Sequence, residues 1–167
     1  MFMDNRGYFF ESFNQKNFNE AIGQEINFVQ DNQSKSKKGV LRGLHYQEEP
    51  FAQAKLVRVI SGEIFDVVVD IRKESATYGQ WLSVTLSSTN NKQLWIPEGF
   101  AHGFLVTSDS AEVLYKATNF YSKTHERCIR FDDYEINISW PLSERSFIIS
   151  NKDIQGQYLG EQSQKTK

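Results

Sequence analysis

The segment Val40 to Gln47 places a guanidinium and an imidazole inside an otherwise apolar run. Arg42 and His45 are flanked there by valine and leucine residues, a composition typical of a buried strand. Burying an unpaired charge costs on the order of several kcal/mol, which is comparable with the whole margin of stability of a domain. Both side chains therefore need polar partners or a bound anion, and the segment indicates a functional site rather than a core.

A second polar group lies in the segment Leu94 to Phe104, where Pro97 and Gly99 form a turn that delivers His102 to the start of another strand. A single histidine in a strand is more commonly a hydrogen-bonded structural residue. Two such histidines together with Arg42 favour a site. Histidine exchanges protons near neutral pH, and arginine can bind an anion with two parallel hydrogen bonds. The residue types therefore indicate a site that could hold a bound anion.

The composition restricts the classes of partner. The chain has 167 residues, of which 39% are hydrophobic and 24% are charged, as expected for one globular domain with its own core. Aromatic residues make up 14% and favour a β-rich fold. The net charge of -2 and the pI near 5.9 argue against a nucleic acid or an anionic membrane surface as the main partner.

Cysteine content and chain ends add three further expectations. Cys128 is the single cysteine, so no disulfide can form within the chain. We find no apolar leader at the N-terminus and no segment near the roughly eighteen apolar residues that span a bilayer, and we expect a cytoplasmic protein without a membrane partner. We divide the chain into one domain, residues 1–156, and a loose polar tail, residues 157–167.

Short strand signals separated by turn residues predict an all-β fold, a double-sheet jelly roll of the sandwich or barrel type with one or two short helices. The predicted strands are Tyr8 to Glu11, Ile26 to Gln30, Val40 to Tyr46, Lys55 to Ile60, Glu63 to Ile71, Gln80 to Ser87, Lys92 to Ile96, His102 to Val106 and Val113 to Lys116. One helix is predicted from Asn14 to Ile22, with Asn14 as its N-cap and Gly23 at its end. Phe18, Ala21 and Ile22 would form its buried stripe.

The alternation of side chains along a strand identifies further polar residues that can face the interior. Lys55 shares a face with Val57 and Val59, and Tyr115 shares one with Val113, so both can point into a barrel interior. Arg42 and His45 have opposite parity, which a regular strand would send to opposite faces. Gly43 lies between them, where a β-bulge could bring both side chains to one face.

Five segments resemble the dTDP-4-dehydrorhamnose 3,5-epimerases in order and spacing: Asp4–Ser12, Phe28–Asn32, Leu41–His45, Ile96–Phe104 and Leu114–Tyr121. The resemblance implies a cupin-like jelly-roll homodimer. It also implies that the protein inverts C3 and C5 of dTDP-4-keto-6-deoxyglucose, on the route to dTDP-L-rhamnose, without a cofactor or a metal. Only Met1 to Met3 precede the first segment, where such proteins usually have a further strand, and we expect this to affect the dimer edge.

The resemblance also implies the roles of individual residues. His45 would be the base, Tyr115 the acid and Asp153 the partner of His45, although Asp66 is an alternative partner from the sequence itself. Lys55 and His102 are our candidates for stabilising the enolate oxygen. The implied nucleotide-sugar pocket consists of Arg6, Glu11, Gln30, Asn32, Arg42, Lys55, His102, Glu126 and Lys152, with Tyr121 stacked on thymine. Phe9, Phe10 and Phe120 are further candidate stacking surfaces, although we expect most of these rings in the core.

These residue types suit the reaction. A ketone at C4 acidifies the hydrogens on C3 and C5, and inversion removes a proton from one face of the sugar and returns one to the other. Histidine, with an ordinary pKa of about 6.5, can accept the proton, whereas a phenol with an ordinary pKa of about 10 stays protonated and can donate. A positioned acid or base gives about 10² to 10⁴ in rate, so a positive group near the enolate oxygen is also needed.

Three alternatives stay open at this point. An enzyme of the same fold could invert only C3 or only C5 of another dTDP-4-keto sugar. The turn Pro97-x-Gly99-x-x-His102 resembles a motif of metal-dependent cupins, but His45 is followed by Tyr46 and Gln47 rather than by the second histidine and glutamate of such sites. The third alternative is a protein that binds nucleotide sugars without turnover.

Overall fold

Two packed antiparallel sheets and a separate N-terminal hairpin make up most of the computed structural model, which describes residues 1–162. The strands are β1 (Phe2–Asp4), β2 (Gly7–Phe9), β3 (Gln30–Lys37), β4 (Val40–Gln47), β5 (Lys55–Ser61), β6 (Glu63–Asp70), β7 (Trp81–Ser87), β8 (Gln93–Ile96), β9 (Phe100–Val106), β10 (Ser110–Ala117), β11 (Glu126–Cys128) and β12 (Ile148–Ile149). The helices are α1 (Gln15–Ile22), α2 (Asn151–Ile154) and α3 (Leu159–Gln162), with a 3-10 turn at Glu144–Ser146.

The strand order defines the two layers of a cupin-like β-sandwich, which confirms the predicted fold class. One sheet has the order β3-β10-β5-β8, and the other has the order β11-β4-β9-β6-β7. Strand β12 adds to β4 in parallel. Among residues 1–162, strands β1 and β2 pair only with each other.

The main core lies between the two sheets. It combines Val57 and Val113 of the four-stranded sheet with Ile64, Leu86 and Val106 of the six-stranded sheet, all fully buried. Alternate residues of β6 face away from this core and form a second cluster with the C-terminal segments. Strand β6 is thus covered on both faces, which explains its nearly continuous apolar sequence.

The predicted position of the first strand after the helix is wrong. We expected a strand over Ile26 to Gln30, but β3 spans Gln30–Lys37 and pairs with β10 along its whole length. This segment, Gln-Asp-Asn-Gln-Ser-Lys-Ser-Lys, has no apolar alternation. It is an edge strand, and polar side chains, lysine above all, are a common way to protect an exposed edge.

The predicted helix is confirmed, except for its buried stripe. The Asn14 side chain accepts a hydrogen bond from the backbone N–H of Asn17 at 3.1 Å, and Gly23 ends the helix with a φ of 72°. Phe18 and Ile22 are half-buried, but Ala21 is exposed. The helix packs against the sandwich through an aromatic cluster in which Phe18 contacts Phe13, Phe28 and Trp95 of β8, whereas Ala21 faces solvent.

The packed chain continues past the predicted boundary at residue 156. Gln157 bridges to Ile129, and Leu159 is buried with its backbone N–H bound to Asp133 at 2.7 Å. Leu159 thus helps to anchor a segment whose composition is polar. The rest of the predicted tail, residues 163–167, lies outside the described residues. No helix within residues 1–162 is long and apolar enough to cross a bilayer.

Candidate active site

A cavity of about 250 Å³ is lined by residues of both sheets. Seven of the predicted site residues line it: Arg42, His45, Lys55, His102, Tyr115, Tyr121 and Glu126. Sequence reasoning missed the other lining residues, Ser34, Tyr46, Gln47, Gln53 and Phe104. Ser34 has the same parity as Asn32 on β3, so a correct prediction of that strand would have identified it.

Strand β4 is irregular at the glycine between Arg42 and His45, as the opposite parity of these two residues predicted. The register of β4 against β9 shifts between Arg42 and His45, and both side chains line the cavity. Gly43 has a φ of +127°, and a Cβ atom there would lie 2.5 Å from the Cα of Gly103. Only glycine fits this close approach of two strands.

His45 is hydrogen-bonded to a buried carboxylate. Its Nε2 lies 2.6 Å from Oδ1 of Asp153, which is 3% exposed. Burial alone would raise the pKa of Asp153, but hydrogen bonds from His45, Ser150 and the backbone of Gly43 outweigh it and lower the pKa. An ionised carboxylate can only accept, so Nε2–H is the donor and Nδ1 is the nitrogen that can take up a proton.

A second histidine–carboxylate pair lies on the neighbouring strands. His102 is the register partner of His45, and its Nε2 lies 2.9 Å from Oδ1 of Asp66, which is fully buried. Asp66 is therefore the partner of His102, and Asp153 is the partner of His45. The sequence did not predict the pair of His102 and Asp66.

Lys55 is a buried cation at the cavity wall. It is 8% exposed, and its Nζ donates to the backbone oxygen of His45 at 3.4 Å. Burial lowers the pKa of Lys55 to about 8, and the negative charges of Asp66 and Glu126 oppose this effect. The predicted inward orientation of Lys55 is confirmed, and the ammonium group lies 6.0 Å from the centre of the Tyr115 ring.

Tyr115 is a phenol that resists ionisation. Burial raises its pKa, and so does the negative charge of Glu126, whereas Arg42 and Lys152 act in the opposite direction. The hydroxyl group therefore remains protonated across the neutral range and can serve as a proton donor.

Glu126 connects two further predicted residues. It accepts a hydrogen bond from the Tyr121 hydroxyl at 2.8 Å and forms an ion pair with Lys152 at 2.5 Å. Burial raises the pKa of Glu126, but the bonds from Lys152 and Tyr121 outweigh it, so the net shift is downward. Lys152 thus contacts a cavity residue although it does not line the cavity itself.

The polar residues of β3 reach the cavity through Tyr121. Gln30 accepts from the backbone N–H of Tyr121 at 3.1 Å and donates to Asn32 at 2.9 Å. On the neighbouring strand, Arg42 donates from Nε to the Ser36 hydroxyl at 3.2 Å. These bonds fix an aromatic ring and a guanidinium at the wall of one cavity.

Three predicted residues near the N-terminus do not line the cavity: Arg6, Phe9 and Glu11. Arg6 pairs with Asp4 in the β1–β2 hairpin and is exposed. The expectation that most candidate stacking rings are core residues is wrong, because Phe9, Phe120 and Tyr121 are all more than half exposed. Their loops and hairpin lie outside the two-sheet core.

The metal-dependent cupin alternative requires His102 among its ligands. Within residues 1–162, the one group of three donors close enough to share an ion is His45, Cys128 and Asp153. His102 is instead bonded to Asp66. The histidines of the two motifs therefore do not form a common ligand set in the described part of the chain.

Comparison with known proteins agrees with this geometry. The family described as dTDP-4-dehydrorhamnose 3,5-epimerase matches residues 1–161. The protein of that name from Shigella flexneri is 62% identical over 157 residues, covering 94% of this chain and 86% of the relative. Its counterpart from Methanothermobacter thermautotrophicus is 54% identical over 154 residues, covering 92% and 82%.

Solved structures give the same result. The dTDP-6-deoxy-D-glucose-3,5-epimerase of Legionella pneumophila, in complex with dTDP-4-keto-L-rhamnose, has a TM-score of 0.91 at 50% identity, covering 95% of this chain and 84% of that one. ChmJ, a 3'-monoepimerase from Streptomyces bikiniensis in complex with dTDP-quinovose, has a TM-score of 0.89 at 31% identity, covering 95% and 80%. This chain belongs to the dTDP-4-dehydrorhamnose 3,5-epimerase family.

Proposed function

We propose that the protein is an isomerase that epimerises dTDP-4-dehydro-6-deoxy-D-glucose at C3 and C5, giving dTDP-4-dehydro-L-rhamnose for dTDP-L-rhamnose synthesis. The observation that carries this proposal is the joint presence of His45, Tyr115 and Lys55 at one cavity wall, with Asp153 bonded to His45. A base, an acid and a cation are the three groups that proton transfer next to a ketone requires.

The proton path follows from the tautomer of His45. Because Nε2–H donates to Asp153, Nδ1 takes the proton from the carbon next to the ketone, and Asp153 stabilises the resulting imidazolium. The electron pair of the broken C–H bond moves to the C4 oxygen, where the ammonium of Lys55 stabilises the enolate. Tyr115 then supplies a proton to the opposite face of the carbon. Tyr115 regains a proton from solvent, and the His45 imidazolium releases one to solvent.

The part of the substrate that does not react provides most of the binding free energy. Arg42 can hold the pyrophosphate with two parallel hydrogen bonds, and Tyr121 offers its ring to thymine. The side-chain oxygen of Gln30 accepts a hydrogen bond from the backbone N–H of Tyr121 at 3.1 Å and holds that residue in place. The nucleotide-sugar ligand, rather than nucleic acid or membrane, is thus the proposed partner, and the cytoplasmic location stays a prediction.

Incubation with the keto sugar nucleotide in heavy water, followed by NMR, tests this function. We expect deuterium at both C3 and C5 with the native protein, and loss of exchange at both carbons with His45→Ala. Exchange at neither carbon with folded native protein would overturn the proposal, and unchanged exchange in the variant would remove His45 from its role.

A single-site epimerase is the second candidate, because the fold of a 3'-monoepimerase from Streptomyces bikiniensis is closely similar. The relatives with higher identity are named as 3,5-epimerases, which favours inversion at both carbons. Deuterium at one carbon only, after long incubation, would select the second candidate.

We also propose that the protein works as a homodimer. The β1–β2 hairpin exposes Phe2, Met3, Tyr8 and Phe9. It pairs with no other strand in the described part of the chain, as expected of a segment that packs on a second copy. Arg6, Phe9 and Glu11 would then complete the neighbouring cavity.

Light scattering and subunit mixing test the dimer. We expect a molar mass of two chains, and we expect that mixing inactive Arg6→Ala with inactive His45→Ala restores activity, since one hybrid cavity would contain both native side chains. A monomeric active protein would overturn the proposal.

A further inference from the structure

Two side chains of different chemistry converge on the catalytic histidine. Cys128 on β11 is the register partner of His45 on β4, and Asp153 projects toward both from α2. The Nε2, Sγ and Oδ1 atoms all lie within 4.8 Å of one another. Oδ1 of Asp153 is 2.6 Å from Nε2 and 3.8 Å from Sγ.

This set of donors matches the preference of a thiophilic divalent cation. Imidazole nitrogen, thiolate sulfur and carboxylate oxygen are the three ligand types that Zn²⁺ takes in proteins. Tetrahedral bonds of about 2.0 Å to nitrogen and oxygen and about 2.3 Å to sulfur place such donors about 3.3 to 3.5 Å apart. The separation of Sγ and Oδ1 is already close to this range, whereas Nε2 and Oδ1 must move apart by less than about 1 Å.

Cys128 faces a second cleft beside the substrate cavity. This cleft is also lined by Arg127, Lys152, Gln155, Gly156 and Gln157, and it shares Glu126 with the substrate cavity, which Cys128 does not line. The two cationic side chains of this cleft are both neutralised by ion pairs. Lys152 pairs with Glu126 at 2.5 Å, and Arg127 pairs with Glu48 at 2.5 Å.

We propose that Nε2 of His45, Sγ of Cys128 and Oδ1 of Asp153 form an inhibitory site for Zn²⁺ or a similar soft divalent cation. On binding, the Cys128 thiol releases its proton to solvent, and the cation replaces the hydrogen bond between His45 and Asp153. The imidazole proton then resides on Nδ1, so that nitrogen cannot accept a proton from the sugar. The inhibition depends on the proposed function, whereas the binding does not.

Cobalt spectroscopy tests the binding without any assay of activity. Co²⁺ substitutes for Zn²⁺ in tetrahedral sites, and its bond to a thiolate gives charge-transfer absorption in the near ultraviolet. Cys128 is the single cysteine of the chain, so this absorption can arise only there. We expect it in the native protein, displaced by added Zn²⁺, and we expect none in Cys128→Ser. Native protein without this absorption at saturating Co²⁺ would overturn the site.

Inhibition by Zn²⁺ tests the consequence. Because the cation removes the base without occupying the substrate cavity, we expect kcat to fall while KM changes little. Cys128→Ser should weaken inhibition at least about tenfold, since loss of even an outer hydrogen bond costs a metal site that much. Equal inhibition of the variant and the native protein would overturn the inhibitory role. If neither protein shows epimerase activity, the proposed function fails and the cobalt measurement still decides the site.

Discussion

The histidines of the two histidine–carboxylate pairs lie on adjacent strands, but the surroundings of the two pairs differ. The side chain of His45 is 28% exposed, and its partner Asp153 belongs to a short helix outside the sheet. The side chain of His102 is 8% exposed, and its partner Asp66 lies in the central strand β6. The same two residue types thus form one pair that can exchange protons with a ligand and one, the enclosed pair, whose histidine reaches the cavity wall but is almost fully buried.

The enclosed pair acts on the site through its charge. Asp66 is fully buried, and its negative charge partly offsets the effect of burial on the pKa of Lys55. A fixed carboxylate beneath a buried ammonium helps to keep that ammonium charged. The accessible pair therefore moves protons, and the enclosed pair helps to hold a positive charge where the enolate forms.

Replacement of the accessible histidine should give the largest change in rate. We expect His45→Asn to lower kcat by about 10² to 10⁴, the usual contribution of a positioned base. The melting temperature should change little, because His45 is partly exposed and Asp153 keeps its bonds to Ser150 and Gly43. Steady-state kinetics and thermal unfolding measure both. An equally large loss of stability would mean that the two pairs do not differ as described.

Replacement of the buried cation should separate activity from stability. We expect Lys55→Met to lower kcat by about 10² to 10³, as when a transition-state donor is removed, while raising the free energy of unfolding at pH 7 by about 1 to 3 kcal/mol. The gain arises because the native state no longer buries an ammonium group. Lys55→Arg, which keeps the charge, is the control and should not be stabilised.

The difference in the free energy of unfolding between Lys55→Met and the native protein should also depend on pH. Lys55 has a pKa of about 8 in the native protein and an ordinary value of 10.5 when unfolded. Between these values the unfolded chain binds the proton and the native protein does not, so the native protein gains stability as the pH rises. The advantage of Lys55→Met should therefore shrink from pH 8 to pH 10.5 in urea unfolding. A constant difference would contradict the lowered pKa.

Replacement of the enclosed histidine should mainly affect folding. We expect His102→Ala to lower the free energy of unfolding by about 3 kcal/mol, because it leaves the buried charge of Asp66 without its partner. His45→Ala is the matched comparison and should cost less, because His45 is partly exposed and the buried Asp153 keeps its bonds from Ser150 and Gly43. Urea unfolding at one protein concentration compares the two. Equal losses would show that exposure does not distinguish the pairs.

Much of this fold can be predicted from the sequence, because a strand with one buried face alternates apolar and polar residues. Strands β4 to β10 were predicted within a few residues for that reason. Strand β3 was misplaced because its residues are polar, and the backbone of a strand distant in the chain, β10, determines its position. The β-bulge at Gly43 was predictable because Arg42 and His45 had to face one cavity despite opposite parity.

The carboxylate partners could not be assigned from the residues alone. Asp66 and Asp153 are both far from His45 in the chain, and the choice depends on where α2 packs. Strand β12 pairs with the start of β4 and brings α2 beside His45, and two residues of strand give almost no pattern to predict. The position of Asp153 therefore depends on a short tertiary contact. Only the resemblance to the epimerases implied that Asp153 is the partner of His45.

The helix cap at Ser150 offers the smallest and most selective test of the comparison. Ser150 is the N-cap of α2, and its hydroxyl accepts the backbone N–H of Asp153 at 3.2 Å. We expect Ser150→Ala to lower the free energy of unfolding by about 1 kcal/mol, the usual cost of a lost cap. Because α2 positions Asp153, kcat should fall several-fold with little change in KM. Ser150→Asp, which can also cap the helix, should restore both quantities. The enclosed pair has no contact with this helix cap, so a loss of stability without a change in kcat would mean that α2 does not orient His45.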